Sequence, residues 1–226
     1  MLPFTFLLKS EPNAVHDSPR FPEISILIVD DHPLFREGVA AFLNAQSGLH
    51  VVGAVGSAHE AEALAIDARP TVVLLDLRLG LSQGLDVLAK LKRLASPPKV
   101  LIVSSHDGDA MVRRALEAGA DGYVSKNVPS AELVAAIRKL INGERALCAN
   151  IAMKVSDAVG KPELTDREID IIELVASGLS NKEVANKLGL SEKTIKNRLV
   201  GIFEKLEASD RTHAVVIAME RGFIGR

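Results

Sequence analysis

Thr71-Val72-Val73-Leu74-Leu75-Asp76-Leu77-Arg78 decides how the first half of this chain reads. Five residues of β-branched and leucine character follow Arg69-Pro70 and offer water no polar face, so the run reads as a strand buried on both sides. Such strands belong to parallel sheets covered by helices. Asp76 stands at the carboxyl end of the run. In an open α/β sheet that end opens onto the crevice where ligands bind, which places the carboxylate for chemistry. Alone, it reads more readily as an ordinary helix-capping aspartate. The residues that join it decide between the two readings.

Outward from this stretch, between Ile24 and Gly143, short apolar runs alternate with amphipathic ones. The pattern predicts strands at 25–29, 51–55, 71–75, 99–103 and 121–124, with helices near 33–45, 58–67, 85–94, 108–118 and 130–142. That order gives right-handed βαβ units and a five-stranded, parallel, doubly wound α/β sheet. Pro33 suits a first helical turn, Ser57 with Glu60 forms a capping box, and Gly119 and Gly143 stop their helices.

The polar residues at the strand ends can now be collected. The first strand ends in Asp30-Asp31, the third in Asp76, the fourth in Ser104, and the fifth runs into Lys126. In a parallel sheet all of them emerge on one edge. Crowded carboxylates repel, and a hard divalent cation such as Mg2+, keeping several waters and taking one or two carboxylates, is the usual remedy. A lysine and a hydroxyl beside it supply the positive charge and the donor that a phosphoryl group needs. The pattern suits transfer of a phosphoryl group to an aspartate. His32 and His106 lie beside this crevice, but imidazole suits zinc, copper or iron better, and the oxygen donors suffice.

At 226 residues, two domains are expected. The 47% hydrophobic and 25% charged fractions describe an ordinary globular chain, with an aliphatic core because Trp is absent and aromatics are 4%. Cys148, the single cysteine, excludes an intramolecular disulfide and fits a reducing compartment, so a cytoplasmic location is expected. A net charge of −2 argues against a wholly basic nucleic-acid coat while allowing a local basic patch. Met1–Leu8 lacks the basic start and cleavage site of a secretory signal, and residues 1–23 read as a disordered leader. No run reaches membrane-spanning length.

The strand-end set resembles the receiver domain of two-component response regulators, a flavodoxin-like fold, over about half the chain. The likeness rests on Asp30-Asp31, Asp76, Ser104 in Val103-Ser104-Ser105-His106, and Lys126 at the end of Gly119-Ala120-Asp121-Gly122-Tyr123-Val124-Ser125-Lys126. It implies phosphorylation of Asp76 by a sensor histidine kinase, with Ser104 and Lys126 holding the phosphoryl group and Tyr123 at the aromatic switch position. It further implies that Asp31, Asp76 and the carbonyl of Arg78 bind Mg2+ directly, with Asp30 acting through water. Gly80 departs from the family, which usually has proline there, and a looser backbone would affect metal affinity or phosphate lifetime. Gly84 keeps the family's spacing.

Residues 144–160 read as a connector, with Ile151, Val155 and Val159 permitting a short helix before Gly160-Lys161-Pro162. The receiver is thus assigned to 24–143 and a second domain to 161–226. There the strand signals vanish. Thr165 with Glu168 and Ser180 with Glu183 form capping boxes, and Ser191 caps a third helix across Leu188-Gly189-Leu190. Short helices joined so tightly predict a helix-turn-helix. On the third helix Ile195, Leu199, Ile202 and Leu206 share one face, leaving Lys193, Asn197, Val200 and Glu204 opposite, with Lys196 alongside. Cationic and amide side chains on an exposed helix suit base edges and phosphates. From Leu179 to Lys205 there are six Lys or Arg against three Glu. Lys182, Lys193, Thr194, Lys196, Asn197 and Val200 are the expected DNA contacts.

This half resembles the LuxR-type helix-turn-helix, through Leu164-Thr165-Asp166-Arg167-Glu168, Gly178-Leu179-Ser180-Asn181-Lys182-Glu183-Val184-Ala185 and Ser191-Glu192-Lys193-Thr194-Ile195-Lys196. Together the two likenesses imply the NarL/FixJ type of response regulator. The expected function is a transcription factor, not an enzyme, that binds double-stranded promoter DNA as a homodimer when phosphorylated. Leu133, Val134, Ile137, Leu140 and Ile141 motivate the dimer, being more than one buried stripe needs. Asn197 and Val200 depart from the family's usual residues there, so base preference is expected to differ. A receiver working unphosphorylated as a dimerisation module is the main alternative. A phosphohydrolase would need a second acid two residues beyond the first, where Asp30-Asp31-His32-Pro33 has none. A LuxR-type small-molecule sensor would need an aromatic-rich cavity.

Overall fold

In the first half, the described residues form eight strands and six helices, in the order β1 (Ile24–Val29), α1 (Pro33–Asn44), β2 (Leu49–Val55), α2 (Ala58–Ala68), β3 (Val72–Leu75), β4 (Arg78–Leu79), β5 (Ser82–Gln83), α3 (Gly84–Lys92), β6 (Lys99–Ser104), α4 (Asp109–Glu117), β7 (Gly122–Ser125), α5 (Ser130–Ile141), β8 (Ala146–Leu147) and α6 (Ala149–Asp157). The second half contains α7 (Asp166–Ala176), α8 (Asn181–Leu188), α9 (Glu192–Leu206) and α10 (Arg211–Glu220). This is a computed structural model, and it describes residues 23–79, 82–105, 108–157 and 160–225. The leader expected at 1–23, apart from Glu23, lies outside the described residues, as do Gly80, His106 and Val159. Among the described residues no helix is long and apolar enough to cross a membrane.

The main sheet runs β2-β1-β3-β6-β7-β8, every neighbouring pair parallel. β3 is buried along its whole length, as its unbroken apolar run requires. Helices cover both faces: Leu88, Leu91, Val112 and Ala115 sit in one core cluster, and Leu43, Leu133, Ile137 and Leu140 in the other. The strand order reverses across β1 and β3, so the crevice at their carboxyl ends is the binding position of this topology.

Three features correct the expectation. The sheet has six strands, not five, because Ala146–Leu147 adds an edge strand along β7. A Cβ on Gly122 would come within 2.5 Å of the Ala146 carbonyl oxygen, so the glycine admits this close approach. Two residues are too short for a periodic signal. The stretch 144–160, expected as a connector, is partly built into the first domain, since Ile151 is fully buried in the core and Val155 packs against it. Finally, Val134 and Ile141 pack on the same core as Leu133, Ile137 and Leu140. The surplus that motivated a dimer on this helix is therefore used inside the domain.

In the second domain Ile195, Leu199, Ile202 and Leu206 are buried on one face of α9, as their spacing requires. Both capping boxes form, and Gly189 takes the left-handed conformation (φ 65°) that ends α8 and lets Ser191, the N-cap of α9, follow two residues later. The fourth helix, α10, had no expectation; Asp210 caps it by accepting the His213 N–H, and Ala214 and Ala218 turn inward. Arg211 closes the unit, donating to Asn181 Oδ1 (3.1 Å) and to the Leu179 carbonyl.

Asp121, at the head of β7, accepts hydrogen bonds from Lys92, from Lys99 Nζ (3.1 Å) and from the Val100 N–H (2.8 Å). Burial alone would raise its pKa, but the Lys92, Val100 and Lys99 donors hold it below the usual carboxylate value. A carboxylate of depressed pKa stabilises the fold above its unfolded pKa, and that gain disappears as pH falls through the folded value. Asp121→Asn should lower stability by about 1–3 kcal/mol at neutral pH. The difference from wild type, read from urea midpoints, should vanish in strong acid.

Candidate functional site

β1 delivers Asp30 and Asp31, β3 delivers Asp76 and β7 delivers Lys126 to the same edge of the sheet. Asp30 and Asp76 are almost wholly buried, with 2% and 3% of their surface exposed. Taking carboxylates out of water costs several kcal/mol each unless a counter-charge accompanies them. Lys126 supplies it: Nζ donates to Asp76 Oδ2 at 2.6 Å and lies 2.7 Å from Asp30 Oδ2. Burial raises the Asp76 pKa, with help from the Asp30 charge, against the lowering by Lys126 and by the Arg78 N–H, 3.2 Å from Oδ1. Burial alone would lower the Lys126 pKa, yet its bonds to Asp30 and Asp76 raise it, keeping the ammonium charged.

The acid pair is held from its own chain. The His32 N–H donates to Asp30 Oδ1 (2.9 Å), and His32 Nδ1 lies 2.8 Å from Asp31 Oδ1. Arg36 Nη1 donates to the Asp30 carbonyl at 2.7 Å. One ligand atom each from Asp30, Asp31, His32 and Asp76 can be chosen so that all four lie within 4.8 Å of one another. Three hard carboxylates around one point fit a Mg2+-like ion. His32 comes closer to this cluster than its sequence reading anticipated.

Ser104 ends β6 fully buried, and its carbonyl accepts the Lys126 N–H at 2.9 Å. Tyr123 is fully buried in the core. Gly84 lies against the site's backbone, where an added Cβ would fall 2.6 Å from the Asp76 carbonyl oxygen. The side chain of Arg78 reaches the other domain: a Cβ on Gly225 would collide with its guanidinium.

Beyond Ser104 the chain turns into α4, and there the two domains meet. The Ala110 N–H donates to the Arg221 carbonyl (3.0 Å), and a Cβ on Gly108 would fall 2.5 Å from that same oxygen. Arg114 pairs with Asp166 (2.9 Å), Arg113 with Glu163, and Arg221 with Asp109 (3.4 Å). Arg113 Nη2, Arg221 Nη2 and Asp109 Oδ2 are nevertheless buried there without a hydrogen bond. Between the domains runs a cleft of 480 Å3, lined on one side by Leu77, Arg78 and Ser104 and on the other by Ile169, Asp170 and Phe223.

On α9, Lys193, Lys196, Asn197 and Val200 are exposed, Val200 by 53%. Lys182 is exposed on the first turn of α8. Thr194 is half-buried, its hydroxyl 2.7 Å from Ser191 Oγ at the helix cap. Sequence reasoning missed Phe35, Arg36, Gly108 and Arg221. Their spacing carries no signal, because each acts across a distance that only the fold creates.

The response regulator receiver domain model matches residues 26–138, and the model for bacterial regulatory proteins of the luxR family matches 162–218. The transcriptional regulatory protein LiaR of Bacillus subtilis is 36% identical over 203 residues, covering 86% of this chain and 96% of LiaR. The response regulator protein VraR of Staphylococcus aureus is 35% identical over 206 residues, covering 89% of this chain and 99% of VraR. A LuxR-family two-component response regulator from Aurantimonas sp. SI85-9A1 superposes with a TM-score of 0.57 at 35% identity, over 59% of this chain and 95% of that one. The fold and the two matched regions thus define a two-domain signalling protein. The chain belongs to the response regulators that join a receiver domain to a LuxR-type DNA-binding domain, and its relatives are transcriptional regulators.

Proposed function

We propose that this response regulator is switched by a phosphoryl group on Asp76, donated by a sensor histidine kinase, and that the switch controls binding of α9 to promoter DNA. The observation that carries the reading is the Lys126 ammonium, 2.6 Å from Asp76 and 2.7 Å from Asp30 at the crevice of the sheet. In transfer, an Asp76 carboxylate oxygen bonds to phosphorus as the bond from phosphorus to the donor breaks. Lys126 and Ser104 then hold the new phosphoryl oxygens. Asp30, Asp31, Asp76 and the Arg78 carbonyl would hold Mg2+, which when bound neutralises charge on the phosphoryl oxygens. Tyr123 is read as the aromatic switch residue.

The receiver is taken as 24–143, extended by the packing of residues 146–157, and the DNA-binding domain as 161–226. The recognition face of α9 is open to solvent, so contact with the receiver cannot act by covering it. It acts instead by fixing where the DNA-binding domain sits, and a homodimer must set two recognition helices about one DNA turn apart. Ion pairs that leave several of their buried atoms without hydrogen bonds hold this interface weakly, because desolvation nearly cancels the attraction. A phosphoryl group arriving beside Ser104 and Arg78, both lining the interdomain cleft, releases it.

A small phosphodonor with Mg2+ should add one phosphoryl group, read by intact mass, and Asp76→Asn should abolish the addition. Equal labelling of the variant, or labelling that survives chelation of Mg2+, would refute the assignment.

The exposed positions divide between reading and holding. Asn197 faces outward where an amide can pair with adenine, whereas Lys182 suits phosphates, which fix register and carry no sequence information. Asn197→Ala should cost about 1–3 kcal/mol at one base position and change the preferred sequence. Lys182→Ala should weaken all sequences alike and reduce the salt slope by about one. Titrating single-base variants at two salt concentrations separates these effects, and the reverse pattern would exchange the two roles.

A further inference from the structure

The Lys126 ammonium sits 4.7 Å from the ring centroid of Phe35, on the first turn of α1. Two of its three N–H groups face Asp30 and Asp76. The ring faces it from α1, where a groove of 290 Å3 lies between α1 and α5, lined by Leu34, Phe35, Phe42, Lys126 and Leu133. Leu34 at the rim is 86% exposed, so this groove opens to water. Without the ring, the ammonium would meet solvent through the groove.

We propose that Phe35 is a positioning residue for Lys126, using its ring face to keep the ammonium in the site while its hydrogen bonds are exchanged. The inference rests on the reading of Asp76 as the phosphorylated residue. When Asp76 is modified, its carboxylate becomes part of an acyl phosphate, and the ammonium must pivot toward the new phosphoryl oxygens. A hydrogen bond breaks in such a pivot because it is directional. Attraction of a cation to a ring face tolerates the movement, and it strengthens where water is excluded. The ring also screens the phosphoryl group on its groove side. Loss of that group is hydrolysis: a water oxygen bonds to phosphorus, the bond to the Asp76 oxygen breaks, and inorganic phosphate leaves.

The test uses the full-length protein phosphorylated with acetyl phosphate and Mg2+. The half-life of the phosphorylated form is then followed by intact mass after donor removal. Phe35→Leu keeps apolar bulk but removes the ring face, and its half-life should fall about three- to tenfold. Phe35→Tyr, which restores the face, should stay within about twofold of wild type. In the double variant with Lys126→Met, the Phe35→Leu effect should disappear, since a residue acting through Lys126 has nothing left to position. Should Phe35→Leu fail to fold, Phe35→Met replaces it with the same expectation. An unchanged half-life in Phe35→Leu, an equal loss in Phe35→Tyr, or full additivity with Lys126→Met would overturn the proposal. Absence of any label on wild type would instead remove the reading of Asp76 itself, and this inference with it.

Discussion

Two carboxylates are buried at the carboxyl edge of this sheet, and one ammonium between them makes that tolerable. Asp30 and Asp76 would repel each other and each would be costly to desolvate. Lys126 contacts both within 2.7 Å, and all three side chains are at most 9% exposed. The rest of the receiver serves to bring these groups together. β1, β3 and β7 are apolar enough to be buried on both faces, and the parallel order puts their polar ends on one edge. Replacing the charge balance at this point, as a phosphoryl group would, changes an ionic interaction that joins the ends of β1, β3 and β7.

From there the physical route to the second domain is short. Lys126 bonds through its N–H to the Ser104 carbonyl, and a few residues later Gly108 and Ala110 meet the backbone of Arg221. Arg78, two residues past Asp76, meets the chain again at Gly225. The contact between domains combines this close backbone approach with ion pairs that leave buried donors unsatisfied. An apolar interface of equal size would hold more firmly and respond less to charge. The two domains keep separate main cores, with Ala110 the receiver residue that joins the second.

Most of the architecture was legible in the sequence, because it rests on periodicities that local residues declare. The five principal strands and the helices between them fall within a residue or two of their expected bounds. Asp30, Asp31, Asp76, Ser104 and Lys126 could be gathered because a parallel sheet sends strand ends to one edge. β8 was not legible, since two residues cannot show alternation and its pairing depends on the absence of a side chain at Gly122. Nor was α10, whose inward residues are two alanines. Phe35 over Lys126 and Arg221 against Ala110 are contacts between elements distant in the chain, so neither local spacing nor residue type signals them. Gly108 could have been noticed, but only the approach of a second backbone explains why it must lack a side chain.

We propose that phosphorylation of Asp76 governs DNA binding through the contact between the Gly108–Ala110 turn and Arg221. Gly108→Ala tests it most directly, because the added methyl group forces that contact apart (its nearest neighbours would be 2.4 and 2.5 Å away) and touches neither the carboxylate site nor α9. The measurement is the affinity of the unphosphorylated variant for a duplex selected from a random DNA library by phosphorylated wild type. Binding close to that of phosphorylated wild type is expected, with little further gain on phosphorylation. A variant that binds as weakly as unphosphorylated wild type and still responds fully to phosphorylation would contradict it.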